Sequence, residues 1–179
     1  MATESVFIIG ALAVACVGGI ADILTSKIPN RLTYGGMIVA IGAHLVIGGW
    51  SGLGASIAGG LIGGGAFFVF FLLHAMGGGD IKLIAAVGCF VGPKLSIEIV
   101  LASAIAGGIL AIAYALWQRR LKVVLRNVYE LVKFHAAVGA ESHPSLNLSN
   151  QQAVRLPYGV AIAAGVIYAA LAFYHRGGI

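Results

Sequence analysis

From residue 32 to residue 79 the chain carries no aspartate, glutamate, lysine or arginine. A helix that crosses a bilayer needs about 20 apolar residues at a rise of 1.5 Å each, so this stretch has the length for two crossings. The run Gly48-Gly49-Trp50-Ser51-Gly52 supplies the turn between them. The rest of the chain follows suit, with 60% apolar and only 9% charged residues among 179. An ordinary soluble domain has roughly 45–50% and 25%. Such a chain is neither a disordered tail, a secreted disulfide scaffold nor a water-soluble enzyme; it is an all-α polytopic membrane protein built as a single domain over 1–179. Cys16 and Cys89 are far apart within apolar runs, which excludes a readable zinc motif or disulfide framework and makes them small buried side chains.

Six spans are expected, at 6–24, 32–50, 53–75, a short fourth at 81–91, 95–117 and 156–174. The fourth must borrow the glycines before it, and Pro157 suits the first turn of the sixth. Between spans five and six, Leu121, Val124, Leu125, Val128, Leu131 and Val132 recur at helical spacing, with Arg120, Lys122, Arg126, Glu130 and Lys133 in the other positions. This predicts a basic amphipathic helix on the membrane surface, within a loop region of about 118–156. The net charge of +5 therefore sets topology and does not imply nucleic acid as a partner. With the N-terminus outside, Lys94 and Arg176 alone among the 11 lysines and arginines fall on the outer side. Met1 to Ser5 carry Glu4 and no positive charge, so the first span is expected to remain as an anchor. Ala55, Gly59 and Gly63, with Gly60 and Gly64, make a small-residue face for close helix contact.

The chain has two aspartates, Asp22 and Asp80, and carboxylates beside membrane spans are a functional signal. The parity of the spans brings both to the same membrane face. Two carboxyls a few ångströms apart in a partly dry site share a proton, one acting as base on a water and the other as acid on a carbonyl oxygen. That is the apparatus of an aspartic peptidase. The plainer role for each aspartate is a helix-end residue or an ion pair with Lys27 or Lys82. Asp80 follows Gly77-Gly78-Gly79, where the backbone is free to leave helical geometry and a second backbone can approach. Asp22 is followed by Ile28-Pro29-Asn30, a proline-stiffened loop with an asparagine suited to turn or cap the next helix. His44 and His74 have no partners at metal-ligand spacing and read as polar packing; Glu98 reads as solvated or paired with Lys94.

With Asp22 and Ile28-Pro29-Asn30, then Gly77-Gly78-Gly79-Asp80-Ile81-Lys82, then Pro157-Tyr158-Gly159, the sequence resembles the type IV prepilin peptidases, membrane aspartic proteases of the G-x-G-D type. The resemblance implies that Asp22 and Asp80 are the catalytic pair. It implies that Gly77, Gly78, Gly79, Lys27, Pro29, Asn30, Lys82, Pro157 and Tyr158 bind substrate or shape the site. It further implies a substrate that is a prepilin, a membrane helix preceded by a leader, cut at the cytoplasmic face of the bacterial inner membrane, without metal or other cofactor. The chain is similar to the short members serving Tad or Flp pili; the bifunctional relatives carry a cytoplasmic domain with Cys-x-x-Cys pairs, so N-methylation is not expected here. Val160 departs from the second proline of many relatives. Three competing functions fit the sequence less well. A presenilin-like protease pairs G-x-G-D with Tyr-Asp and Pro-Ala-Leu, whereas here Ala21 precedes Asp22 and Tyr158 follows Pro157. A small ion or proton transporter could use two membrane aspartates but gives no reason for Ile28-Pro29-Asn30. A non-catalytic assembly factor would tolerate Asp22→Asn with function intact.

Overall fold

The computed structural model describes residues 2–72, 76–119 and 157–177, with scattered positions between 122 and 134. The described residues form helices and no strands: α1 (Ala2–Thr25), α2 (Asn30–Leu72), α3 (Gly78–Trp117) and α4 (Tyr158–His175). All four are long and apolar enough to cross a membrane. The count is thus four helices, not the six expected. The region of about 118–156, with the basic surface helix and the loop after it, falls largely, and His74 wholly, outside the described residues.

The difference in count arises at two glycines. Helix α2 runs for 43 residues and α3 for 40, about 64 Å and 60 Å if straight, roughly twice a hydrocarbon core. Neither is straight. Gly49 (φ 59°, ψ −148°) interrupts α2 and Gly92 (φ 74°, ψ −178°) interrupts α3, both in backbone conformations that a side chain disfavours. The chain reverses at each. A Cβ placed on Gly36 would lie 3.7 Å from Ala86, and one on Gly64 would lie 3.1 Å from Ala85. Two points 28 residues apart in α2 therefore meet adjacent residues of α3, where a straight helix would hold them about 42 Å apart. The first interruption falls inside the expected 48–52 turn, and the second between the expected end at 91 and restart at 95.

Helix α3 begins at Gly78, so it does borrow from the glycine run. Only Gly77 is extended (φ −78°, ψ 149°); Gly78 and Gly79 are helical. The expected departure from helical geometry is therefore confined to one residue. Pro157 is the cap residue of α4 and lies one position before its first turn, with its carbonyl accepting the Val160 N–H at 3.1 Å.

The core lies between α2 and α3, which share the most extensive interface. It rests on the small-residue face: Gly60 packs on Cys89, Gly63 on the Ile84 carbonyl, and Gly59 and Gly88 touch backbone to backbone. Both cysteines are free thiols. Phe67, Leu83, Ile84, Val87 and Ile162 fill the interior. The break at Gly92 and Pro93 strips the preceding turn of its amide donors, and polar side chains replace them. Ser56 Oγ donates to Cys89 O at 2.8 Å and His44 Nε2 to Phe90 O at 2.8 Å, while Ser96 Oγ, which bonds Gly92 O at 2.7 Å, also reaches Gly88 O at 3.4 Å. The His44 ring also stacks on Phe7 with centroids 3.8 Å apart, which ties α1 and α2 to α3 and bears out the packing role for this histidine. Glu98 pairs with Arg176 at 2.9 Å and not with Lys94, because the second arm of α3 runs beside α4.

A Cβ at position 63 would sit 2.7 Å from the Ile84 carbonyl oxygen, which as backbone cannot move aside. Gly63→Ala is expected to cost about 1–3 kcal/mol, read as a lower Tm of the detergent-solubilised protein.

Candidate active site

Asp22 lies in the last turn of α1 and is half buried. Its Oδ2 accepts the backbone N–H of Gly159 at 2.9 Å. Gly159 is in the first turn of α4, where amides lack partners within their own helix. Pro157 at the cap has no side-chain hydrogen bond to offer them, so α1 provides the capping acceptor. Helix α1 then ends in a tight exit: Thr25 Oγ1 donates to Ala21 O and Lys27 O at 2.8 and 2.9 Å, and Ser26 takes a left-handed backbone with φ 52°.

Asp80 is the third residue of α3 and reaches back to the backbone of Gly77, the residue that precedes the helix. An acidic residue at this position closes the first turn and complements the helix dipole. Its carboxyl interacts electrostatically with Asp22 and with Tyr158. The end of α1 and the starts of α3 and α4 thus meet at one end of the bundle. Neither carboxylate is neutralised by a neighbouring cation among the described residues. Lys82 Nζ donates instead to Asn30 Oδ1 at 3.1 Å and lies 5.2 Å from the centre of the Tyr34 ring, while Lys27 is exposed. The ion pairs expected as the plainer role of the aspartates are not what the structure forms. The helix-end role describes it, since Asp22 accepts from the start of α4 and Asp80 from the residue before α3.

The remaining expected residues divide around this pair. Ile28-Pro29-Asn30 forms the link from α1 to α2: the Pro29 carbonyl accepts the Leu32 N–H at 3.0 Å, and the Asn30 side chain turns to Lys82 in place of capping its own helix. Ile28 covers Gly79, 3.4 Å from where a Cβ would sit. The loop motif and the glycine motif therefore pack on each other through Ile28–Gly79 and Asn30–Lys82. Tyr158 lies over Gly107, whose added Cβ would be 2.8 Å from the tyrosine ring, and this brings the second arm of α3 to the site. Gly78 faces Phe71. Gly159 and Gly19, which meet where α1 and α4 cross, are not among the residues expected from the sequence. Their only signal there is that Gly159 closes Pro157-Tyr158-Gly159, one of the runs on which the family resemblance rests.

The arrangement is a corner that holds two carboxyls within electrostatic reach of each other beside the half-buried backbone of Gly77, and carboxyls so placed are able to activate water against a peptide carbonyl when they share a proton. The type IV leader peptidase family matches residues 6–112, a stretch that includes Asp22, Ile28-Pro29-Asn30 and Gly77 to Lys82, and the chain belongs to that family. It is a multi-pass membrane protein and a protease of the type IV leader peptidase kind, with prepilins as the substrates the family implies. A presenilin-like protease and a transporter give way to this membership. Neither a curated protein nor a solved structure matches the chain.

An alanine Cβ at position 79 would make ordinary contact with Ile28, whereas the branches of valine would push Ile28 and the loop behind it. Gly79→Ala is expected to cleave within about threefold of wild type and Gly79→Val to lose about tenfold or more, equivalent to roughly 1.4 kcal/mol at the transition state. Steady-state cleavage of a prepilin by both variants at matched enzyme decides it.

Proposed function

We propose that this protein is an aspartic endopeptidase in which Asp22 and Asp80 together activate a water to cut the leader from type IV prepilins of the Tad or Flp kind. The observation that carries the reading is the approach of these two carboxyls, from distant parts of the chain, to one corner at the same end of the bundle. Held face to face in a partly dry site, they retain one proton between them. The unprotonated carboxyl takes a proton from water as that water attacks the scissile carbonyl, and the protonated one donates to the carbonyl oxygen. The tetrahedral intermediate then collapses, the C–N bond breaks, and the new amine leaves with a proton returned from the pair.

A peptide must be extended to be cut, because a helix hides its carbonyls in hydrogen bonds. Gly77, extended and open beside Asp80, gives backbone with which such a segment can pair. Lys82, held by Asn30 and Tyr34 away from the carboxyls, lines the same rim, and Lys27 extends it outward. The folded-back arms of α2 and α3 support a fold of six crossings built from four helices. The distribution of positive charge supports a bacterial inner-membrane location with the N-terminus outside and the aspartates at the cytoplasmic face. Cys16 and Cys89 lie singly within apolar helices, in keeping with leader cleavage unaccompanied by N-methylation.

Asp22→Asn and Asp80→Asn are each expected to lower cleavage by roughly 10²–10⁴-fold with near-normal abundance, since an amide keeps an acceptor oxygen for the helix start but cannot share the proton. Glu98→Gln, far along α3, is expected to be fully active. Membranes matched for enzyme, with the new N-terminus of the pilin sequenced, test this; full activity in either aspartate variant overturns the pair and favours an assembly factor.

Orientation has its own test. Cysteines placed at Ser26 and Ser145, in a background lacking Cys16 and Cys89, are expected to react with an impermeant maleimide only after the inner membrane is opened. Labelling in intact spheroplasts refutes the cytoplasmic placement.

A further inference from the structure

Helix α4 lies wholly beyond the residues matched by the leader peptidase family, yet its first turn is bound to one of the two aspartates. The Gly159 N–H donates to Asp22 Oδ2 at 2.9 Å across 137 residues of sequence. Space at this point is as constrained as the hydrogen bond. A Cβ on Gly159 would stand 3.0 Å from Asp22 Cβ, 3.1 Å from Asp22 Oδ2 and 3.2 Å from Gly19 Cα. On the other side of the crossing, a Cβ on Gly19 would stand 3.1 Å from the Gly159 carbonyl oxygen. The two helices therefore touch backbone to backbone at the level of the carboxyl.

We propose that Gly159 is a positioning residue of the active site: its amide holds Asp22 Oδ2 in place toward Asp80, and its missing side chain lets α1 and α4 approach closely enough for that bond to form. The two contributions are separable. The amide is a donor with no partner in its own helix, so it can be committed to Asp22 without weakening α4. Its position is set by the helix backbone and not by a rotatable side chain, so the carboxyl oxygen it holds has one place to be. Any residue other than glycine and proline keeps the donor but forces the carboxyl away, and loss of the donor alone lets the carboxyl rotate. Tyr158, one residue earlier, lies within electrostatic reach of Asp80, so the same helical turn that binds Asp22 also stands near the second aspartate. Unlike Gly159, Gly165 in the middle of α4 packs against Ser103 and the Ile99 carbonyl, away from both aspartates.

This inference rests on the reading of Asp22 as one of the catalytic pair, and the experiment separates the two. The full-length enzyme in detergent is assayed for kcat, KM and Tm as wild type, Gly159→Ala, Gly165→Ala and Asp22→Asn. A further form carries glycolic acid in place of Gly159, which replaces the N–H by an ester oxygen without adding volume. Positioning predicts that Gly159→Ala and the ester form each lose about tenfold or more in kcat with KM little changed and Tm near wild type. Gly165→Ala is expected to show the reverse, a lowered Tm with kcat per folded molecule retained. If the ester form keeps wild-type kcat while Asp22→Asn is inactive, the amide does not position the carboxyl and the inference fails though the aspartate pair stands. If Gly159→Ala only lowers Tm, as Gly165→Ala does, the glycine serves packing alone and the inference is likewise overturned. If Asp22→Asn is itself active, the reading beneath it fails first.

Discussion

A backbone carbonyl left without a donor inside hydrocarbon costs several kcal/mol, and much of this fold is arranged around that cost. Folding α3 back on itself at Gly92 and Pro93 removes donors from the turn before the break. Ser56 and His44, both on α2, supply two of the replacements, so the break in one helix dictates which face of the other must lie against it. The glycine face of α2 then makes the contact close enough for a serine hydroxyl to reach Cys89 O at 2.8 Å. Polar side chains at Ser56 and His44 are thus part of the packing of an otherwise apolar core.

The same logic operates at the opposite kind of helix terminus. The starts of α3 and α4 leave amides without partners, and the two aspartates take up the Gly77 and Gly159 positions. A carboxylate that caps a helix start is held rigidly by backbone, which is a better reference than another flexible side chain. The stability of the helix starts and the placement of the proposed chemistry are therefore one interaction seen from two sides. Lys82 illustrates the complementary requirement: its ammonium is engaged by Asn30 and Tyr34, and it forms no ion pair with either carboxyl.

Several features of this architecture are legible in the sequence. The charge-free stretch from 32 to 79 forces membrane helices, the glycines at 59, 60, 63 and 64 announce a close interface, and the two aspartates stand out because no others exist in the chain. Sequence is a poorer guide where the outcome depends on what a residue meets. Six separate helices are expected because composition marks turns at 48–52 and near 92 without showing that helical hydrogen bonding resumes at once on either side, so that two of the four helices fold back at single glycines. Gly77 to Gly79 are all free to leave the helix by composition, whereas Asp80 closes the first turn and keeps Gly78 and Gly79 within it. Glu98 has Lys94 four residues before it, but the cation that arrives is Arg176 from another helix.

The sequence by itself determined the class of this protein, because hydrophobic length and the scarcity of charge leave a chain no option but spanning helices, and because two isolated aspartates in fixed company with Ile28-Pro29-Asn30 and Gly77-Gly78-Gly79 carry the family. What only the tertiary structure decided is which groups those aspartates touch. Gly159 gave no sign of its place beside Asp22, since a backbone amide looks the same at every position in a sequence. Its role arises from geometry alone: a donor made idle by the start of one helix meets a carboxylate at the end of another, at a crossing so close that neither backbone has room for a side chain.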